Sequence, residues 1–397
     1  MKKIFFVLLL VTFLTGCAGK KEINDLALVL AVGIDKSEKV ENGVQVTVQV
    51  ARPADARGQT GAPTGNTGDP IWSASADGQT LFEAIRNLTT ISTRRVFWAH
   101  NFAIVVNEDL AREGIHDIID FFTRNPELRM RTWIMVTPDR ASTVVSTLTG
   151  LEVIPGEAID KLFRYTEVSR AAPRSELLDV QSAYLSNTNH PVIARVKLIG
   201  RGVSNKKAGQ AGAYEQIELA GAGVFNEDKL VGTLTQEETR GLLPFIETVK
   251  SGVIVVPCPK DSNKQMSAEI ISQNFAVTPK YENGKPKYDV RLLVNANIVE
   301  AGCPFSIENR EEVKQLQKEI KKVLSSDIQT VLNKAQKEFK LDFLELGQVF
   351  NNRFPSEWKG IRNNWDNLFT QAVVNVEIET DITSSVLLYD PTRSGKD

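Results

Sequence analysis

Residues 4–14 (IFFVLLLVTFL) form an apolar run broken only by Thr12, set behind Lys2 and Lys3, and the run stops at Leu14-Thr15-Gly16-Cys17. In a helix these eleven residues rise roughly 16 Å, about half the hydrocarbon thickness of a bilayer. The run is therefore a secretory h-region with a basic n-region rather than a membrane span. A leucine three positions before the cysteine and a small residue directly before it make the pattern of a bacterial lipobox. Small residues let the peptidase reach the backbone, and the Cys17 thiol receives diacylglycerol. The plainer alternative is an ordinary signal peptide with a chance cysteine. No later stretch reaches the ~18 consecutive apolar residues that a span needs. Residues 1–16 are thus read as a removed signal peptide and 17–21 as a lipidated tether, with Cys17 the one attachment to the bilayer.

Removing residues 1–16 takes away two lysines and no acid, so 47 Lys+Arg become 45 against 49 Asp+Glu, a mature charge of −4. That balance argues against nucleic acid as a partner, because neutralising phosphates needs clustered cations. With 42% hydrophobic residues the body can build real cores, and its length fits about two or three domains.

Leu26 to Ile34 is almost wholly apolar and predicts a buried strand, hairpinned to the period-two run Val44–Val50. Residues 52–70, rich in Gly, Pro and Thr, bury nothing and are read as a surface loop. Strands and helices then alternate. Thr80-Leu81-Phe82-Glu83 is a capping box opening a helix with an inward face of Leu81, Ile85 and Leu88. A second helix from Glu108 carries Leu110, Ile115, Ile118, Ile119 and Phe122, and a third is expected to be capped by Asp139. This alternation favours a partly parallel sheet over residues 22–200, with a split near 150 left open. Residues 201–213 (RGVSNKKAGQAGA) are the best linker candidate. Beyond them the grammar changes to hairpins, one across Asn283-Gly284, and a long amphipathic helix over 309–339. The expected class is α+β: an N-terminal mixed α/β region, then a C-terminal antiparallel-sheet domain with one long helix over 214–386, and a tail over 387–397.

Catalytic chemistry is missing from the motifs. His100, His116 and His190 lie far apart, without zinc spacing, and there is neither GxSxG nor a P-loop. Gly221-Ala222-Gly223 begins like a dinucleotide fingerprint, but Asn226 stands where the third Gly belongs. No enzyme, cofactor or metal is expected. Two segments draw a functional reading. Arg94, Arg95, Trp98 and His100 mix cations and aromatics just after a helix, joined by Arg124, Glu127 and Arg129 as candidate partner contacts. Against this stands a solvated loop with its Trp in the core. Pro355 to Phe369 holds Trp358 and Trp365 seven residues apart, which fits a helix laid on a sheet better than a ligand cage. Cys258 and Cys303, each beside a proline at the end of an expected strand, are a candidate disulfide if those strands share a sheet. Two buried thiols are the alternative.

These residues resemble the Ger(x)C lipoproteins, the C subunits of spore nutrient germinant receptors. The family opens with a lipidated Cys and an EIN-(D/E)-LA-(I/L)-V pattern closing in GIDK, here Glu22–Val29 and Gly33-Ile34-Asp35-Lys36. Its R-R-x-F/L-W-x-H segment matches Arg94 to His100, and its AxEGIxDxxDFFxRxxExR stretch matches Ala111 to Arg129. Its C-terminal tryptophans match Trp358 and Trp365. The mature start departs from the Cys-Trp-Asp of many members, reading Cys17-Ala18-Gly19. The resemblance implies an elongated, non-enzymatic multidomain lipoprotein on the outer face of the spore inner membrane. It also implies partners: integral-membrane A and B subunits. The solute-binding lipoprotein of an ABC importer and an envelope hydrolase remain as alternatives. Cys17→Ala should abolish fatty-acid labelling and release the protein from the membrane fraction; label that persists on the variant would overturn the lipobox assignment.

Overall fold

The computed structural model describes residues 25–51, 71–147, 152, 154–165, 169–186, 188–200 and 215–385. The signal peptide, Cys17 with its tether, the segment 52–70, the linker candidate 201–213 and the tail from 387 lie outside the described residues.

The first body contains β1 (Leu26–Lys36), β2 (Val44–Ala51), β3 (Ile71–Gly78), α1 (Leu81–Leu88), β4 (Arg95–Phe97) and β5 (Ala103–Asn107). It continues through α2 (Glu108–Glu113), α3 (His116–Arg124), β6 (Trp133–Thr137), α4 (Ala141–Ser146), α5 (Pro155–Arg164), α6 (Leu177–Leu185) and β7 (Val192–Gly200). Then come β8 (Glu215–Asn226) and β9 (Lys229–Leu234). The strand order is β3-β2-β1-β5-β6-β7-β8-β9, with β4 also paired to β1. The centre, β1-β5-β6-β7, is parallel, and both flanks are antiparallel. Alternate residues of the parallel strands feed two cores. Ile104, Val106 and Ile134 share one with Leu81, Ile85, Phe122 and Leu177. Ala103, Val105 and Met135 share the other with Val144, Val145, Ile159 and Phe163. Burial on both faces explains why β1 and β5 read as unbroken apolar runs.

Asp35 ties the second of these layers down. Its carboxylate is 3% exposed and accepts from the backbone N–H groups of Ala141 (2.8 Å) and Ser142 (2.9 Å) at the start of α4. The expectation that Asp139 caps this helix is corrected: Asp139 accepts from Leu198 N at 2.7 Å, and the capping function comes from a distant strand end. Gly33 lies beneath the same turn, where a Cβ would stand 2.6 Å from the Ala141 carbonyl oxygen. The single helix expected from Glu108 is two helices, because Gly114 takes φ +138°, a conformation that L side chains rarely adopt.

The sheets do not divide at 201–213. β7 and β8 pair antiparallel, so that segment joins neighbouring strands of one sheet, and the first sheet ends only after Leu234. A polar, glycine-rich composition marks chain that buries nothing; it carries no information on whether the strands around it pair.

The second body is built from α7 (Gln236–Ile246), β10 (Gly252–Cys258), β11 (Asp261–Glu282), β12 (Lys285–Ala301), α8 (Arg310–Asn333), α9 (Leu346–Arg353), α10 (Pro355–Ile361), α11 (Trp365–Thr370) and β13 (Val373–Ser385). β10, β11 and β12 form an antiparallel meander, and Asn283 (φ 52°) and Gly284 (φ 75°) make its tight turn. β13 departs from the expected antiparallel pattern by running parallel to β12. The helices α8 to α11 supply the crossover that a parallel pairing requires. Leu316, Ile320, Leu324, Ile328 and Val331 bury the inner stripe of α8 in the core of this sheet.

Trp358 and Trp365 are both buried and meet edge to face at 5.0 Å, in helices laid on the sheet. Beside them the fully buried Asp342 carboxylate accepts from Gly347 N (2.5 Å), Trp365 Nε1 (2.9 Å) and Leu346 N (3.1 Å). Burial pushes its carboxyl up to about 6, against the pull of those donors.

Cys258 ends β10 and Cys303 lies just past β12, and their sulfurs are bonded with the Cα atoms 6.3 Å apart. The bridge ties together the two strands that flank β11. Closing a loop of sequence separation 45 stabilises by about 3–4 kcal/mol in the chain-entropy picture. Cys303→Ala should lower unfolding stability by about that amount, and thiol titration of the denatured, unreduced chain from residue 22 onward should find no reactive thiol. Two reactive thiols would rule the bridge out.

Candidate functional site

α1 and α3 lie side by side on the first sheet and leave a groove of about 860 Å³ between them. α1 starts at Thr80, whose hydroxyl accepts from Glu83 N (3.2 Å), while the Glu83 carboxylate accepts from Gln79 N (2.8 Å). That start turns Leu81, Ile85 and Leu88 into the core and leaves Phe82 and Arg86, one turn apart, on the outside. Phe82 is 54% exposed, and the Arg86 guanidinium sits 4.9 Å above its ring. From Phe82 a chain of aromatic contacts runs inward: to Phe121 (6.4 Å), then Phe122 (5.2 Å), then Trp98 (5.6 Å). The groove thus has an aromatic floor continuous with the core.

Its rim is charged and paired within itself. Arg95 Nη2 lies 2.6 Å from Glu127, and Arg124 Nε lies 2.7 Å from Asp120 one turn earlier. Glu113, also on the rim, pairs with Lys36 at the end of β1. Exposed pairs of this kind contribute only about 0–1 kcal/mol each, so they orient side chains more than they stabilise the fold.

Four of the seven candidate partner contacts, Arg95, Trp98, Arg124 and Glu127, line this one groove. Arg94, His100 and Arg129 are exposed and lie outside its lining. Trp98 is a core residue, 5% exposed, and supports the floor from beneath instead of offering its face to a partner. The aromatic and cationic lip formed by Phe82, Arg86 and Phe121 escaped the sequence reading. The signal was present: Phe82 and Arg86 fall off the apolar face of α1, and of the doublet Phe121-Phe122 only one ring can point inward.

A model of the spore germination protein N-terminal domain matches residues 19–198, and one of the spore germination B3/GerAC-like C-terminal domain matches residues 220–386. The chain belongs to the Ger(x)C family. Residues 1–18 match the prokaryotic membrane lipoprotein lipid attachment site. Spore germination protein KC of Bacillus subtilis (strain 168) is 27% identical, with 98% of this chain and 96% of that protein covered. Spore germination protein B3 of the same organism is 24% identical, with 95% of each covered. The crystal structure of the GerBC protein shares the fold, with a TM-score of 0.54 over 88% of this chain and 96% of that one, at 22% identity. The relatives named here are spore germination proteins, not importer subunits or hydrolases. The two internal segments that carry the sequence resemblance, 94–100 and 111–129, both contribute residues to the groove.

The rim and the floor should respond differently to truncation. Trp98→Ala is expected to cost about 3–5 kcal/mol of unfolding free energy, as removal of a buried indole does. Arg95→Ala should stay within about 1 kcal/mol of the parent. Denaturant titration of both variants checks the division, and equal losses would contradict it.

Proposed function

We propose that the protein is a non-enzymatic, lipid-anchored subunit of a spore nutrient germinant receptor. In this reading it sits on the outer face of the spore inner membrane and engages integral-membrane A and B subunits through the α1–α3 groove. Family membership supports the process. The lipid attachment match at 1–18 supports the anchoring, and no described helix is long and apolar enough to cross a membrane.

The observation that carries the choice of the groove is a strand register. Arg95 pairs with Leu26 at the very start of β1. Leu26 is nine residues after Cys17, so at most about 30 Å of chain separates the groove wall from the lipid. Membrane neighbours are therefore within reach of this end of the body. Lipid anchoring confines both parties to one plane and raises their effective concentration, so modest contacts suffice. The groove offers what such a neighbour would need: an exposed ring to bury, and paired charges of both signs at its edge.

Phe82→Ala combined with Arg124→Glu should reduce recovery of the A and B subunits with the tagged protein by about tenfold or more, with the melting temperature unchanged. Spores carrying this variant, in a strain without paralogous receptors, should lose the response to the cognate nutrient and keep their response to nutrient-independent triggers. Full recovery of both subunits would remove the groove from the proposal; normal nutrient germination of a strain lacking the whole protein would remove the receptor role itself.

A further inference from the structure

Arg94, His100 and Arg129 are left over by the groove, and all three belong to the end of the first body at which the chain arrives from Cys17. Leu26 opens β1 there beside Arg95, and residues 98–102 lead on into β5. The turn 125–131 comes in alongside: Glu127 pairs with Arg95, and Thr132 Oγ1 donates to the Asn101 carbonyl at 3.1 Å. Arg129 and Arg131, just ahead of β6, are exposed, as is Arg94. Two apolar side chains stand exposed among these cations. Ile91, past the end of α1, is 53% exposed, and Ser92 Oγ donates to the Arg94 carbonyl at 2.6 Å, which holds Ile91 and Arg94 in one turn. Leu178, in the first turn of α6, is 46% exposed, and its N–H donates at 3.0 Å to the carbonyl of Met130, between Arg129 and Arg131. The far end of β1 is different, because its cations are matched: Lys36 with Glu113, Lys39 with Asp77 and Arg140 with Glu38. At the near end no described carboxylate pairs with Arg94 or Arg129, and Arg131 shares Glu176 with Arg174. Asp25 and Asp179 are the exposed acids close by.

We infer that this end of the first body lies against an anionic lipid surface, with Arg94, Arg129 and Arg131 at the headgroup phosphates and Ile91 and Leu178 in the interface. A guanidinium matches phosphate oxygens two at a time and sheds its water readily. An aliphatic side chain set beside it finds apolar surface at the headgroup–acyl boundary. Charge attraction of this kind acts only within a Debye length, about 8 Å at physiological salt. The nine residues from Cys17 to Leu26 keep this face, and no other end of β1, close enough to use it. The acyl chains hold the protein at the bilayer, and the arginine face sets which way up it stands. The α1–α3 groove, whose wall includes Arg95 and Glu127, is then held next to the lipid.

The inference rests on the lipid anchor and not on the receptor role, and its test uses vesicles without other subunits, so either can fail alone. With Cys17 acylated and Cys258 bridged to Cys303, the full chain has no free thiol. A fluorophore can therefore be placed singly through Ile91→Cys, Leu178→Cys or, at the far end of β1, Glu41→Cys. Each labelled, acylated protein is inserted in phosphatidylcholine vesicles with or without about 30 mol% phosphatidylglycerol, all carrying a headgroup nitroxide as quencher. The labels of Ile91→Cys and Leu178→Cys should be quenched about twofold or more in the anionic vesicles, and that of Glu41→Cys should not. Adding Arg94→Glu and Arg129→Glu should abolish the quenching with the melting temperature and vesicle association unchanged. About 1 M NaCl should abolish it on the chain without those two changes, which decides the matter if the reversed chain does not fold. Quenching that is absent, equal in neutral vesicles, equal for Glu41→Cys, or untouched by both charge reversal and salt would overturn the inference.

Discussion

Strand β1 is hydrogen-bonded along one edge to β2 and along the other to β4 and β5, and helices cover both of its faces. Nearly every position of the first body can be stated relative to it. Its C-terminal end carries Asp35, whose buried carboxylate holds the first turn of α4, and Gly33, which lets that helix approach. Four backbone N–H groups at a helix start lack intrahelical partners, and an anion there is favoured by the helix dipole as well. Replacing the carboxylate would leave those donors buried and unmet, which costs more than the bonds themselves contribute. Its N-terminal end sets the position of β4 and hence of Arg95. One strand therefore locates both the helix layer behind the sheet and the groove in front of it.

The groove's rim charges are paired within the chain and cost little to separate. Arg95–Glu127 and Arg124–Asp120 are exposed pairs, each worth little against water. Breaking them to meet another protein's charges costs correspondingly little. Phe82 differs, because its exposed ring gains by burial at roughly 25 cal/mol per Å² of apolar surface. In the proposed role, area removed from water would supply the attraction, and the rim charges would select which surface arrives.

Local chemistry was legible in the sequence, and long-range chemistry was not. The buried run of β1, the alternation in β2, the Thr80 cap, the turn at Asn283-Gly284 and the stripe of α8 all follow from residues a few positions apart. The cap on α4 did not, because Asp35 and Ala141 meet only through the fold. The groove was half legible: Arg95, Trp98, Arg124 and Glu127 could be picked out as residue types, whereas the Arg95–Glu127 pair exists only once β4 lies beside the end of α3, and the aromatic chain from Phe82 only once α1 lies beside α3. The parallel placement of β13 and the joining of β7 to β8 across 201–213 are topological, and composition does not encode topology. The two family models divide the chain between residues 198 and 220, inside a continuous sheet, so the boundary of sequence similarity and the boundary of the sheet are different things.

The two bodies are joined by charge as well as by apolar contact. Arg170, from the first body, is 4% exposed with a left-handed backbone (φ 51°), and its Nη2 donates to the Arg240 carbonyl of α7 at 3.1 Å. Burial brings its guanidinium down to about 10, with Asp327 of α8 pulling the other way. The same desolvation raises the Asp327 carboxyl, which Arg240 Nε approaches at 3.3 Å. A buried ion cluster is a poor way to gain stability, since apolar residues of the same volume often do as well. It is a good way to fix an orientation. Apolar faces such as Ala222, Val224 and Leu242 tolerate sliding, while a planar guanidinium with fixed donor directions does not. Once Arg170 is seated, shifting one body against the other leaves a buried charge without its partners, at a cost of about 3–5 kcal/mol.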